Sequence, residues 1–309
     1  MKILYITSSF EDYLQDQTLI GLRELYGDNV IDYPKKDVLY KSCNRPSSEL
    51  YGCGFSIWKC LPEVDVDREN IFKRARSGEF DFIIFGSIWR QKPIFKRMRK
   101  ELTLLLSGSR IVFLDGEDYH NIYKQAVISG KYFKRELFTP IRELFVNKIS
   151  FSIPDAKINQ FHTTSKDKTF AKHVQCDEAY KIQEIQEQCQ SKYAFSDEEA
   201  YYRDIARSYY AVTMKKGGWD CMRHNEIGAN GTVPCFYRFS EKPKSCAPHG
   251  LIDMENIVAF NTADELTKKI ELIKRENRYE EIRTNIIKWA RYNSCKNSAE
   301  RLMASLINS

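Results

Sequence analysis

Short apolar runs alternate along the first 120 residues with stretches whose apolar positions recur at helical spacing. "KILYIT" (2–7) is a β-branched and aromatic run stopped by Ser8 and Ser9, and "DQTLIGLRELYG" behind it is helix-permissive, so strand, loop and helix are predicted. "NVIDY" (29–33) predicts a second strand. "DRENIFKRARSGEF" predicts a helix with Asp67 as N-cap, leading into a buried strand at "DFIIFGS" (81–87). "KPIFKRMRKELTLLL" predicts another helix, and "RIVFLDGEDYH" (110–120) a strand running into an acidic loop. Strands alternating with helices imply crossover units and a mostly parallel sheet. Residues 37–66 have little periodicity and are expected to form an insertion over one end of that sheet.

Near residue 150 the pattern restarts. "NKISFSIPDAKI" (147–158) alternates like a strand interrupted by Pro154, and the junction between an N-terminal domain, 1–150, and a C-terminal domain, 151–309, is expected here. "KTFAKHVQ" then predicts a strand and Asp177 to Lys192 a polar helix. "SDEEAYYRDIARS" (196–208) predicts a helix whose Ser196 and Glu199 have capping-box spacing. "YYAVTM" (209–214), "TVPCFY" and "NIVAF" (256–260) are further strands, "TADELTKKIELIKR" (262–275) a helix capped by Thr262, and the last fifty residues are helical by pattern. The fold class is α/β, in two strand–helix halves that each start their own sheet.

Composition narrows the function classes. A chain of 309 residues that is 42% apolar can fill two sizeable cores. Its nine cysteines contain no CxxC pair, and their odd number and scattered spacing argue for reduced thiols rather than disulfides or zinc. No signal-peptide pattern follows "MKILYITSSF" and no run approaches the roughly 18 to 20 apolar residues of a membrane span, so a cytoplasmic location is expected. The formal charge of +6 favours a nucleotide, an anionic acceptor or a lipid surface, but is too small to imply nucleic acid.

The densest candidate chemistry is "KKGGWDCMRHNEIGANGTVPCF" (215–236). A helix starting near Asp220 would turn unpaired N–H groups and a positive dipole end towards a phosphate, with Lys215 and Lys216 adding charge and Gly217 and Gly218 admitting close backbone approach. Arg223 and Glu226, one turn apart, could pair with a diphosphate and accept two ribose hydroxyls. The same spacing fits a simpler arrangement, in which Asp220 caps the helix, Arg223 and Glu226 form a surface pair and the glycines make a turn.

"RHNEIGANGTVPCF" followed by "NIVAFNTADELTKKIELI" resembles the C-terminal half of GT-B glycosyltransferases of the group-1 type, with their Arg-x-x-Glu-x-x-Ala-x-Gly-x-x-Pro pattern. Arg223, Glu226, Ala229, Gly231 and Pro234 fall on it one by one. The resemblance covers residues 196 to 305, and the first half only by architecture. It implies two Rossmann-like domains facing a cleft, the C-terminal one binding a nucleotide-sugar donor and the N-terminal one an acceptor, with no cofactor beyond the donor substrate. It also implies that Glu226 contacts the donor ribose and makes Lys215, Lys216, Gly218, Arg223 and His224 candidate contacts around it. Many retaining members carry a second glutamate eight positions earlier. Here that position is Gly218, and Asp220 is the nearest carboxylate and a candidate nucleophile.

A second candidate is "LDGEDYH", at the carboxyl end of a predicted parallel strand, where Asp115, Glu117, Asp118 and His120 could deprotonate an acceptor hydroxyl. "DVD" (Asp65, Asp67) follows irregular sequence and is read as capping, so no metal is expected. "KYFKREL" (131–137) could place Lys131, Lys134 and Arg135 in the cleft or on a solvated strand face, and "KPKSCAPHG" (242–250) could form another cleft loop. His162 and His173 show no ligand spacing. The expected function is transfer of a sugar, without a metal, to a surface glycan or glycolipid (polysaccharide, O-antigen or capsule type), with peripheral contact to the inner membrane. The alternative is a non-catalytic nucleotide- or glycan-binding protein. A dinucleotide oxidoreductase is disfavoured because no GxGxxG follows "KILYIT".

Overall fold

The structure, a computed structural model, describes residues 1–102, 110–139, 144–161 and 164–307. The end of the helix predicted from "KPIFKRMRKELTLLL", and His162, lie outside the described residues. The first sheet comprises β1 (Ile3–Ile6), β2 (Val30–Tyr33), β3 (Phe82–Phe85), β4 (Ile111–Asp115), β5 (Lys131–Lys134) and β6 (Asn147–Lys148), in the order β2-β1-β3-β4-β5-β6. Every pairing in it is parallel. Helices α1 (Tyr13–Tyr26), α2 (Ile71–Arg76), α3 (Lys92–Leu102) and α4 (Lys124–Val127) connect the strands. β1 and β4 are buried along their whole length because apolar clusters cover both faces of the sheet.

The second sheet is β7 (Lys168–Phe170), β8 (Ser208–Met214), β9 (Val233–Tyr237) and β10 (Val258–Phe260), again parallel, in the order β10-β9-β8-β7. Around it run α5 (Gln183–Gln188), α6 (Glu198–Ala206), α7 (Met222–Ala229), α8 (Ala263–Arg275) and α9 (Tyr279–Tyr292). The last helix, α10 (Cys295–Ile307), leaves this half. Its Cys295, Ala299, Leu302, Met303 and Leu306 join the core of the first sheet beside Leu19, Ile20 and Leu22 of α1. The expected C-terminal unit 151–309 is therefore corrected for its last helix. The helical period predicted α10 but not which sheet it covers.

Other expectations shift locally. The run 147–158 adds only the two-residue edge strand β6 to the first sheet instead of opening a second one. The polar helix from Asp177 to Lys192 shortens to a 3-10 turn and α5. The N-cap of α6 is Asp197, whose side chain accepts from Ala200 N, rather than Ser196. Asp67 does not cap α2; Asn70 precedes the helix, and Asp67 accepts from Glu69 N and pairs with Arg74. Thr262 does cap α8, accepting from Glu265 N at 3.2 Å.

Candidate functional site

In parallel sheets the loops at the carboxyl ends of the strands form the ligand-binding edge, above all where the strand order reverses. In the first sheet that reversal lies between β1 and β3. The loops after β1 (Thr7–Tyr13), after β3 (Arg90, Gln91) and after β4 (Gly116–Asp118) all line a cleft of about 1110 Å³. The opposite wall comes from the carboxyl ends of β7 and β8, with His173, Gln175, residues 216–218 and 220–223, and from Glu226 on α7.

The glycines of "KKGGWD" serve the joint between the halves. A Cβ on Gly218 would meet Glu136 Oε1 at 2.4 Å and Arg135 Nη1 at 2.8 Å, and one on Gly217 would strike the Asp118 carboxylate. Their bare backbone lets this loop close onto the first half. Arg135, fully buried just past β5, donates to Gly116 O, Glu136 and Asp220 O, and its guanidinium is paired with Asp118. Lys134 is equally buried, 3.0 Å from Asp115, so the solvated strand face considered for this segment is corrected. Lys216 lines the cleft, whereas Lys215 is exposed outside the lining and lies over the Trp219 ring.

Asp220 is 2% exposed and does not cap α7, whose N-cap is Cys221. Its Oδ2 accepts from Phe151 N at 2.7 Å and its backbone N–H donates to Glu136. Burial pushes its carboxyl up to about 7, with Arg135 opposing and Glu136 assisting. A nucleophile needs an accessible, ionised carboxylate. Asp220 is nearly covered and one of its oxygens is taken by Phe151 N, so it lines the cleft as part of the joint.

Glu226 lines the cleft with both oxygens held. Oε1 accepts from Ser56 Oγ at 2.8 Å and Oε2 from Tyr201 OH at 3.1 Å. Burial raises its pKa while those two hydroxyls and Arg223 lower it. Arg223 lines the cleft too, and no ion pair joins it to Glu226 among the described residues, so the surface-pair alternative does not hold. His224 lies outside the lining and is fully buried. Its Nε2 faces Trp219 O at 2.9 Å, which only a donor can do, leaving Nδ1 to accept from Thr213 Oγ1. Burial holds its pKa down near 4, and its expected donor contact is corrected to a structural role.

In the acidic loop, Asp115 is held inside by Trp89 Nε1 and Tyr132 OH. Glu117 and Asp118 reach the cleft. Burial raises the Glu117 pKa, opposed by Arg90 and assisted by Asp12, Asp115 and Asp118. His120 stands outside the lining, edge-on to Phe138. The 242–250 loop does not reach the cleft either. Lys242 donates to Cys246 O within its own loop, and Ala247 N bonds Arg135 O.

Several cleft residues carried no sequence signal. Asp12 caps α1, accepting from Gln15 N and from Ser87 Oγ. His173 lies against Tyr193 with ring centroids 5.4 Å apart, and its Nδ1 donates to Lys192 O. Tyr51, Gly52 and Phe55 come from the irregular insertion. Among the described residues no group of three or more His, Cys, Asp or Glu is placed to hold a metal.

The sequence matches no protein-family model and no curated protein. Its structure, however, is similar end to end to solved ones. HepE of Anabaena in complex with UDP superposes with a TM-score of 0.58 at 10% identity over 100% of both chains. HepE with UDP-glucose gives 0.55 at 9% identity, again over 100% of both chains. A glycosyltransferase of Rickettsia africae gives 0.60 at 10% identity, over 99% of this chain and 97% of the other. The fold is GT-B. In GT-B terms the two halves are the facing α/β units, and the cleft of about 1110 Å³ lies between the carboxyl edges of their sheets. Ala229, Gly231 and Pro234 of the expected pattern sit in the packing around α7 and β9. Ala229 is fully buried, and Gly231 takes a φ of 64° just past the helix, where a left-handed residue closes the last turn.

Proposed function

We propose that this chain is a glycosyltransferase moving a sugar from a nucleotide-sugar donor to a hydroxyl of a surface glycan or glycolipid. The observation that carries the reading is the pairing across one cleft of Glu226, Arg223 and Lys216 from one half with Glu117 from the other. A carboxylate and two cations lining one wall suit a nucleoside diphosphate: Glu226 accepts ribose hydroxyls, and Lys216 and Arg223 neutralise the diphosphate as it departs. Supplying that charge from side chains makes the proposed transfer metal-independent. Glu117, which reaches the cleft and whose pKa burial raises, takes the proton of the acceptor hydroxyl. UDP and UDP-glucose bound to HepE point to a uridine diphosphate donor. Peripheral contact with the cytoplasmic face of the inner membrane would bring a lipid-linked acceptor to the N-terminal half. No described helix is long and apolar enough to cross a membrane.

Incubating the purified protein with UDP-glucose and other UDP-sugars, and following UDP release with and without glycan acceptors, tests the reading. Turnover should fall at least about a hundredfold in Glu117→Gln, within the range of lost general-base catalysis. Binding without turnover for any donor would favour a non-catalytic binding protein, a second reading supported by the burial of Asp220 and by Gly218 in place of a second carboxylate.

A further inference from the structure

The insertion 47–60 belongs by sequence to the first half, yet it crosses the joint and packs on the second. Phe55 shares a buried cluster with Tyr201, Tyr202 and Ile227, and its ring stacks on Tyr201 at 5.7 Å. Ser56 is fully buried. Its backbone N–H donates to Glu198 at 2.6 Å, and its Oγ contacts Tyr202 OH at 2.6 Å and Glu226 Oε1 at 2.8 Å. Ser56 donates its single hydroxyl proton to Glu226, so Tyr202 donates to Ser56. The backbone is bent to do this: Gly52, Cys53, Gly54, Ser56 and Lys59 all take positive φ, 72° at Ser56, a conformation that side-chain-bearing residues adopt only when the surroundings impose it.

We propose that the Phe55–Ser56 dipeptide is the positioning device of the ligand-hydroxyl site: Ser56 fixes Glu226 Oε1 directly, and Phe55 fixes Oε2 by holding Tyr201 against it. The proposal rests on the reading of Glu226 as the acceptor of ligand hydroxyls, and adds that the N-terminal half sets the aim of that carboxylate. An ionised carboxylate offers about four acceptor positions. Two are occupied by Ser56 and Tyr201, leaving two for a pair of vicinal hydroxyls. Because the insertion 47–60, a strap across the joint, comes from the other half, the hydroxyl site is complete only when both halves are joined as they are here. Tyr51, Gly52 and Phe55 also line the cleft, so the strap closes the Glu226 end of it.

Calorimetric titration of the whole chain with UDP and with 2′,3′-dideoxy-UDP tests this. Wild type should prefer UDP by at least about tenfold, the scale of a hydrogen bond to a charged group. Ser56→Ala should bring that preference below about threefold while affinity for the dideoxy compound hardly changes; a residue that merely supported the fold would weaken both ligands alike. Tyr202→Phe, which leaves the strap path intact, should reduce the preference in the same direction and keeps the test valid if Ser56→Ala does not fold. A wild type that prefers UDP, with the preference unchanged in both variants, overturns the positioning role alone. A wild type indifferent to the hydroxyls, or one that binds neither compound, overturns the Glu226 reading together with it.

Discussion

At the scale of single residues, Gly217 and Gly218 separate two kinds of crowding. A Cβ at 218 would meet the buried Glu136 and Arg135, which cannot move without breaking the joint, as well as Asp118, whereas the nearest atoms to one at 217 all belong to Asp118, which is nearly half-exposed and can turn aside at the cost of its pairing with Arg135. Gly218→Ala should therefore cost about 1 to 3 kcal/mol of stability, the usual range for overpacking, and Gly217→Ala clearly less. Urea denaturation of both variants checks this, and equal costs would mean that the joint is looser than these distances indicate. Glu226 makes the complementary case for function. Its carboxylate is the acceptor among the cations of the cleft wall, so Glu226→Ala should weaken UDP binding at least about tenfold by calorimetry. Unchanged affinity for every common nucleotide would remove Glu226 from the donor site.

At the scale of elements, α1 and α10 meet where α1 has no side chain. A Cβ on Gly21 would lie 2.0 Å from Cys295 O and 2.9 Å from the Ala299 Cβ. Backbone cannot swing away as a flexible side chain can, so Gly21→Ala should push the last helix off the first sheet, at a cost of about 1 to 3 kcal/mol by thermal or denaturant unfolding. A variant as stable as wild type would show that α10 contributes little to that core. Gly21 was legible in sequence only as a glycine inside a helical pattern. Periodicity did predict β1, β2, β3, β4, β8, β9, α1, α8 and the helical C-terminal end, because each buries a face whose apolar period matches its geometry. What periodicity cannot carry is the partner of a face, so the return of α10 to the first half was invisible. The site divides along the same line. Glu226, Arg223, Lys216, Glu117 and Asp118 announced themselves by spacing or by position after a strand. Arg135, singled out within "KYFKREL", lines the cleft as well, whereas Ser56 and Tyr201 act through contacts between residues 25 to 170 positions apart, for which local pattern holds no signal.

At the scale of the whole molecule, the two halves are joined by a cluster that titrates. Arg135 and Glu136 from the first half and Asp220 from the second share one buried guanidinium, with Phe151 N on one Asp220 oxygen and Lys242 facing from the 242–250 loop. Burial raises both carboxyls, Asp220 to about 7, so the pair holds a proton that the unfolded chain releases near pH 4. Between pH 4 and 7 the native state binds more protons than the unfolded one, and stability contributed here falls as pH rises through that window and levels off above it. Asp220→Asn keeps an oxygen for Phe151 N but cannot ionise, so it removes the penalty. Unfolding free energies at pH 5 and pH 8 should show wild type losing stability relative to Asp220→Asn by an amount on the order of a few kcal/mol. Because the cluster spans the joint, the same loss should appear as faster proteolysis of the wild-type connection around residue 150 at pH 8, slowed in the variant. A wild-type difference between the two pH values that persists unchanged in Asp220→Asn would assign the proton to another group and leave the joint insensitive to pH.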